Sequence, residues 1–191
     1  MKEKSIFNMV LSIISSVIII PLMVLGIIFS RDSLTTTFMC FYYPVLMVYY
    51  ILKSIYFGKN ESTSKTVMYR LSNVFMNLGT TLIVMNFTLY LKNPYNWLLF
   101  SYLLVSLILE TIIDSLEQGL ELKYLLSGMK AFILIFTLLS IYNGIGLLSL
   151  AFLAILICYI CDLLGKILQN KLLLSFEIIS LVIFGIFLIG F

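Results

Sequence analysis

Long apolar runs follow one another along the chain at residues 7–29, 35–57, 67–91, 97–116, 124–141, 145–164 and 172–190, with only short polar breaks between them. Each run is close to the ~20 residues with which a helix crosses the hydrocarbon of a bilayer. Near-continuous apolarity over such lengths predicts helices, whose backbone groups are satisfied within the segment. A membrane β-barrel would show alternating strands of about ten residues. The expected fold is therefore all-α: a polytopic integral membrane bundle of seven transmembrane helices built as tandem hairpins, forming one transmembrane domain over 1–191. The first run follows Met1-Lys2-Glu3-Lys4 as a signal peptide would. Its length exceeds the roughly 7 to 15 residues of a signal h-region and no small-x-small site follows, so it reads as a retained helix.

Polar residues within the runs recur at helical spacing, as on faces turned away from lipid. They are Asn8, Ser12, Ser15 and Ser16 in the first run, and Arg70, Asn73, Asn77, Thr80 and Thr81 in the third. Ser106, Glu110 and Asp114 continue the pattern in the fourth, and Ser127, Lys130, Thr137 and Ser140 in the fifth. Such stripes either bond neighbouring helices or line a solvated cavity. The second run carries Tyr42, Tyr49 and Tyr56 every seven residues, with Lys53 on the same side. Pro44 in that run, and Pro21 in the first, each remove a backbone donor and predict a kink.

Composition agrees with the membrane class: 62% of residues are hydrophobic and 11% charged, with a mean hydropathy of +1.13. Soluble domains have about 45–50% apolar and about 25% charged residues. The abundance of Ile, Leu, Asn and Lys suggests an AT-rich bacterial genome. Basic residues set the expected orientation. Lys2, Lys4, Lys53, Lys59, Lys65, Arg70, Lys123, Lys130, Lys166 and Lys171 fall on the side of the N-terminus, and only Arg31 and Lys92 on the other. This places the N-terminus in the cytoplasm and, after seven crossings of the plasma membrane, the C-terminus outside. The uncharged turn at 142–146 is the weakest joint, and without it the C-terminus moves inside.

The intramembrane charges sit at matched depths. Lys53 and Arg70 are equidistant from one turn, Glu110 and Lys130 from the next, and Asp162 and Glu177 from the last. With Asp114 one turn from Glu110, they form a candidate belt toward the cytoplasmic side. Glu110 with Lys130 is one expected pair; Asp162 and Glu177, both acidic, require a proton, a cation, or a base such as Lys53, Arg70 or Lys130. Three readings stand: interfacial residues that snorkel, an ion-pair belt that holds helices together, and a proton or ion pathway. The candidate polar interior comprises Asn8, Tyr49, Asn73, Asn77, Ser106, Ser127 and Thr137.

Chemistry-bearing motifs are sparse. The chain has no His, which removes zincin, His-triad and His-ligated haem chemistry. No catalytic set, cofactor motif or metal-ligand cluster is expected, and Glu110 with Asp114 is the one acid–base combination available to an enzyme. Cys158 and Cys161 have the C-x-x-C spacing of redox dithiols, but within a helix near its cytoplasmic end they read as small packing residues. Asn60-Glu61-Ser62 has the form of a glycosylation acceptor on what is expected to be a cytoplasmic loop. The expected partners are the lipid bilayer and either another membrane protein or a second copy of the chain; nucleic acid is not one.

Short similarities recur at hairpin spacing: Tyr69-Arg70-Leu71-Ser72 returns as Tyr124-Leu125-Leu126-Ser127, and Lys53-Ser54-Ile55-Tyr56-Phe57-Gly58 as Asp114-Ser115-Leu116-Glu117-Gln118-Gly119. Leu91-Lys92-Asn93-Pro94 before the fourth run and Ser127-Gly128-Met129-Lys130 at the fifth look like the outer Asn-Pro turn and small-residue helix start of a known family. Over Arg70 to Gln169 the chain thus resembles the HdeD-like acid-resistance membrane proteins, though most of that family's repeated glycines and prolines are missing and a seventh helix is added. The resemblance implies a non-enzymatic envelope protein linked to stress and transfers no catalytic residue. The alternative is a small-solute or ion transporter, or the substrate-binding membrane subunit of one.

Overall fold

The computed structural model describes residues 5–30, 33–60, 63–91 and 171–189 continuously, together with 97, 101–102, 104–106, 108–109, 112–113, 122, 125, 128–129, 153–158, 160–161, 164–165 and 168. Among these, every regular element is helical. The continuous helices are α1 (Ile6–Phe29), α2 (Ser33–Gly58), α3 (Thr63–Leu91) and α4 (Lys171–Ile189). α3 starts four residues before the expected 67. The added turn, Thr63-Ser64-Lys65-Thr66, is polar, so hydropathy registers only the part of the helix beyond it. α1 and the Thr35–Gly58 portion of α2 are long and apolar enough to cross a bilayer, while Leu172–Phe187 is a shorter apolar helix.

Local chemistry sets the first hairpin. At the C-terminus of α1 the chain turns extended at Ser30, whose hydroxyl donates to the Ile27 carbonyl at 2.9 Å. The same hydroxyl shares a hydrogen bond with that of Thr36 in the first turn of α2. Helix continues through Pro21 and Pro44.

α1 packs against α2 and α4, and α2 also packs against α3. Contacts fix the directions. Gly26 meets Tyr43 and Gly58 meets Met9, so α1 and α2 are antiparallel; Tyr56 meets Tyr69 and Gly79 meets Tyr42, so α2 and α3 are too. Asn8 bonds Ser175 near the start of both helices, and Leu22 touches Gly185 farther along, so α1 and α4 run parallel. Gly26 is required by close approach: a Cβ there would come within 2.7 Å of Tyr43 Cε2. That gap lets the Tyr43 ring pass α1 and donate its hydroxyl to the Gly185 carbonyl of α4 at 3.0 Å.

The distribution of side chains on α1 is inverted relative to a soluble helix. Asn8, Ser12, Ser15 and Gly26 are buried with Ile19 and Leu22, while Phe7, Val10, Ile13, Ile14, Val17, Ile20, Val24 and Ile28 face outward. The core is aromatic: Tyr42 stands edge-on to Phe184 at 5.7 Å and to Tyr43 at 5.3 Å, with Leu46, Ile155, Ile178 and Leu181 in the same cluster.

Candidate functional site

The most concentrated polar chemistry lies where the end of α2 meets the start of α4. Lys53 stands five residues before Gly58 and Glu177 six after Lys171, so each is ~8–9 Å inside its helix end at 1.5 Å per residue. The Lys53 ammonium lies 2.9 Å from Glu177 Oε1, and the two side chains are 1% and 0% exposed. The lysine therefore turns inward and does not snorkel. Tyr49, one turn from Lys53 on the same face of α2, donates its hydroxyl to the same Oε1 at 2.6 Å.

Aromatic rings cover the cation. Lys53 Nζ stands 5.5 Å from the centroid of the Tyr49 ring and 5.3 Å from that of Tyr69 on α3. At this range the ring quadrupoles attract the ammonium, an interaction that strengthens as water is excluded. Tyr69 lies 5.2 Å from Tyr56, over whose ring Lys65 sits at 5.2 Å. An aromatic ladder thus leads from the α2–α3 turn inward to the ion pair. Tyr50 adds a second bond between α2 and α4, donating to the Ile178 carbonyl at 2.9 Å beside Glu177.

Isolated charges buried this deeply would each cost several kcal/mol, so mutual neutralisation and the tyrosine bond are what hold them there. The pair is electroneutral as it stands. Its effect on structure is specific: it ties the first hairpin to the last helix, between residues 124 positions apart.

Around this centre the other polar residues divide into two kinds. Ser175 donates to Asn8 Oδ1, joining α4 to α1, and the Ser12 hydroxyl returns to the Asn8 carbonyl at 2.8 Å. Thr80 and Thr81 bond back within α3, to the Met76 and Asn77 carbonyls at 3.0 and 2.8 Å. Such local bonds are one way a hydroxyl within a helix is satisfied. Asn73 differs from both: it is 5% exposed, and among the described residues neither atom of its amide has a hydrogen-bond partner. An unsatisfied buried amide costs about 1–3 kcal/mol.

Asn77 and Ser106 are buried as well, and Arg70 is half-buried. Glu110, Asp114, Lys130, Asp162, Ser127 and Thr137, and with them the expected Glu110–Lys130 pair, lie outside the described residues. Cys158 is buried with its Sγ 3.9 Å from Met76 Sδ, and Cys161 is half-buried. Among the described residues no three His, Cys, Asp or Glu side chains gather as metal ligands.

Sequence reasoning did not identify Tyr43, Tyr50 or Ser175. The first two had a signal in the doublets Tyr42-Tyr43 and Tyr49-Tyr50, which repeat at seven residues and put rings on two adjacent flanks of α2. Ser175 had none, because a lone serine in an apolar helix looks like any small packing residue. No known family matches the chain, and no curated protein or solved structure is significantly similar to it.

Proposed function

We propose that this chain is a non-enzymatic, multi-pass protein of the cytoplasmic membrane, whose spans are held together by polar contacts in the bundle interior. The inverted face of α1 carries this reading. Asn8, Ser12 and Ser15 turn toward other helices while Phe7, Val10, Ile13, Val17, Ile20 and Val24 turn outward. In water this would expose an apolar stripe ~36 Å long, 24 residues at 1.5 Å each. In lipid it is the stable arrangement, since hydrocarbon solvates the aliphatic face while Asn8 bonds Ser175 of α4 and Ser12 is satisfied within α1.

The parallel course of α1 and α4 supports an odd number of crossings, and with the excess of basic residues beside the N-terminus it favours seven spans with the C-terminus outside. The resemblance to acid-resistance membrane proteins makes envelope stress protection the physiological role to examine. Membrane pellets washed with alkaline carbonate should retain the protein, and reporter fusions should place residues 59–65 inside and Phe191 outside. Release by carbonate would refute the membrane assignment; an internal C-terminus would refute seven spans. Survival of a deletion strain equal to its parent under acid challenge would remove the stress role.

A second reading, solute or ion passage, is favoured by Asn73, whose buried amide has no hydrogen-bond partner among the described residues. Liposomes carrying the protein should show no proton or cation flux if the polar groups serve packing. Flux lost in Glu177→Gln or Asp162→Asn would favour passage instead.

A further inference from the structure

Asn73 on α3 is 5% exposed, and among the described residues neither its amide nitrogen nor its amide oxygen has a hydrogen-bond partner. At about 100° per residue, Arg70 and Asn77 lie on one flank of it along the helix, and Tyr69 and Met76 on the other. The Tyr69 ring covers the Lys53 ammonium at 5.3 Å, and the Met76 sulfur accepts a hydrogen bond from Cys158 at 3.9 Å. We propose that the Asn73 amide holds a buried water site inside the bundle, one helical turn from the ring that covers the Lys53–Glu177 pair.

The chemistry of the amide is the first argument. Leaving a buried donor or acceptor unmet costs about 1–3 kcal/mol, and a carboxamide presents one of each side by side. Its occupant must accept from Nδ2 and donate to Oδ1. Water does both, whereas a metal ion meets only the oxygen and an anion only the nitrogen. Position is the second argument. A buried water makes about three hydrogen bonds, and side chains three or four residues apart on a helix stand about 5–6 Å from one another at Cβ. Arg70 and Asn77 therefore bring further donors and an acceptor within reach of a water on Asn73. Charge is the third: a neutral occupant leaves the balance of the Lys53–Glu177 pair as it is.

The site stands under either reading of the function, since a bundle held by polar packing and a pathway for solutes both admit a bound water. Flux in liposomes bears on passage alone, and the water is measured separately.

Radiolytic hydroxyl-radical footprinting of the full-length protein in detergent, read by mass spectrometry, makes that measurement. Radicals formed from a bound water oxidise the side chains beside it even where bulk solvent does not reach. Met76 and Met39 give the comparison, because both are core residues, at 5% and 2% exposure, and Met39 lies near the start of α2 at the other end of the bundle. Met76 should oxidise to its sulfoxide faster than Met39 in the parent. In Asn73→Leu, which keeps the branched shape of the side chain and removes both amide groups, the Met76 rate should fall to that of Met39 while Met39 itself is unchanged. Far-UV circular dichroism confirms that the variant folds, and Asn73→Val serves if it does not. A Met76 rate no higher than that of Met39 in the parent would overturn the proposal without any variant. An unchanged Met76 rate in the folded variant would overturn it as well.

Discussion

Removing one partner of the Lys53–Glu177 pair should destabilise the protein far more than removing both. In Glu177→Leu the ammonium of Lys53 keeps its two tyrosine rings but loses the carboxylate 2.9 Å away. In Lys53→Met the carboxylate keeps only the Tyr49 hydroxyl among the contacts described above. Each single change strands a buried charge, a cost of about 3–5 kcal/mol. Because Lys53→Met with Glu177→Leu removes both charges and replaces them with apolar atoms, its expected cost lies near zero. Independent effects would instead sum to about 6–10 kcal/mol, so the coupling energy should be at least ~5 kcal/mol. At ~2–4 °C per kcal/mol for a chain of this size, the single variants should melt ~6–20 °C below the parent and the double variant close to it. Circular dichroism melts in one detergent, with denaturant titration as a second scale, give all four corners of the cycle. Single losses under ~1 kcal/mol that add in the double variant would refute the reasoning, since that is how a solvated surface pair behaves.

Tyr49→Phe removes a hydrogen bond to a charged group and should cost about 1.5–3 kcal/mol, against about 1 kcal/mol for Tyr43→Phe or Tyr50→Phe, which lose bonds to neutral carbonyls; equal losses in the same melts would mean that Glu177 is not ionised. Gly26→Ala drives a methyl group against the Tyr43 ring and should cost about 1–3 kcal/mol, whereas Gly128→Ala meets no atom of the described residues within 4 Å and should be neutral or stabilising by up to ~1 kcal/mol. A melt of Gly26→Ala no lower than that of Gly128→Ala would contradict the close approach of α1 to Tyr43. Asn73→Leu should raise the melting temperature if its amide serves no ligand, because it replaces an unsatisfied buried group with apolar volume; a lower melting temperature would show that the amide has a partner in the native protein.

Element positions are legible in this sequence because membrane-scale apolarity is a one-dimensional signal: α1, α2 and α4 begin and end within two residues of the apolar runs. Depth is legible for the same reason, since distance from a turn fixes height along a helix. Rotation about the helix axis and neighbour choice are not. Lys53 stands at the same expected depth as Arg70 and shares its level with several acids, and nothing in the spacing singles out Glu177. The partner is chosen by α4 packing beside the first hairpin, a contact between segments more than 120 positions apart. Likewise, the heptad of Tyr42 and Tyr49 marks one flank of α2, but Tyr43 reaches an α4 carbonyl because Gly26 leaves room for its ring, and Tyr50 reaches another because the backbone of α4 lies beside it.

Spin-label accessibility along α1 tests the membrane bundle most directly. Single nitroxides placed in turn from Ile6 to Phe29, in protein reconstituted in liposomes, are compared for collision with oxygen, which concentrates in hydrocarbon, and with a water-soluble nickel chelate. The account predicts high oxygen and low nickel accessibility at Ile13, Ile14, Val17, Ile20 and Val24, and low accessibility to both reagents at Asn8, Ser12, Ser15, Ile19 and Leu22, with the signal repeating every ~3.6 residues. High nickel accessibility at Ile13, Val17 and Val24, or an oxygen maximum on the Asn8–Ser12–Ser15 face, would contradict it.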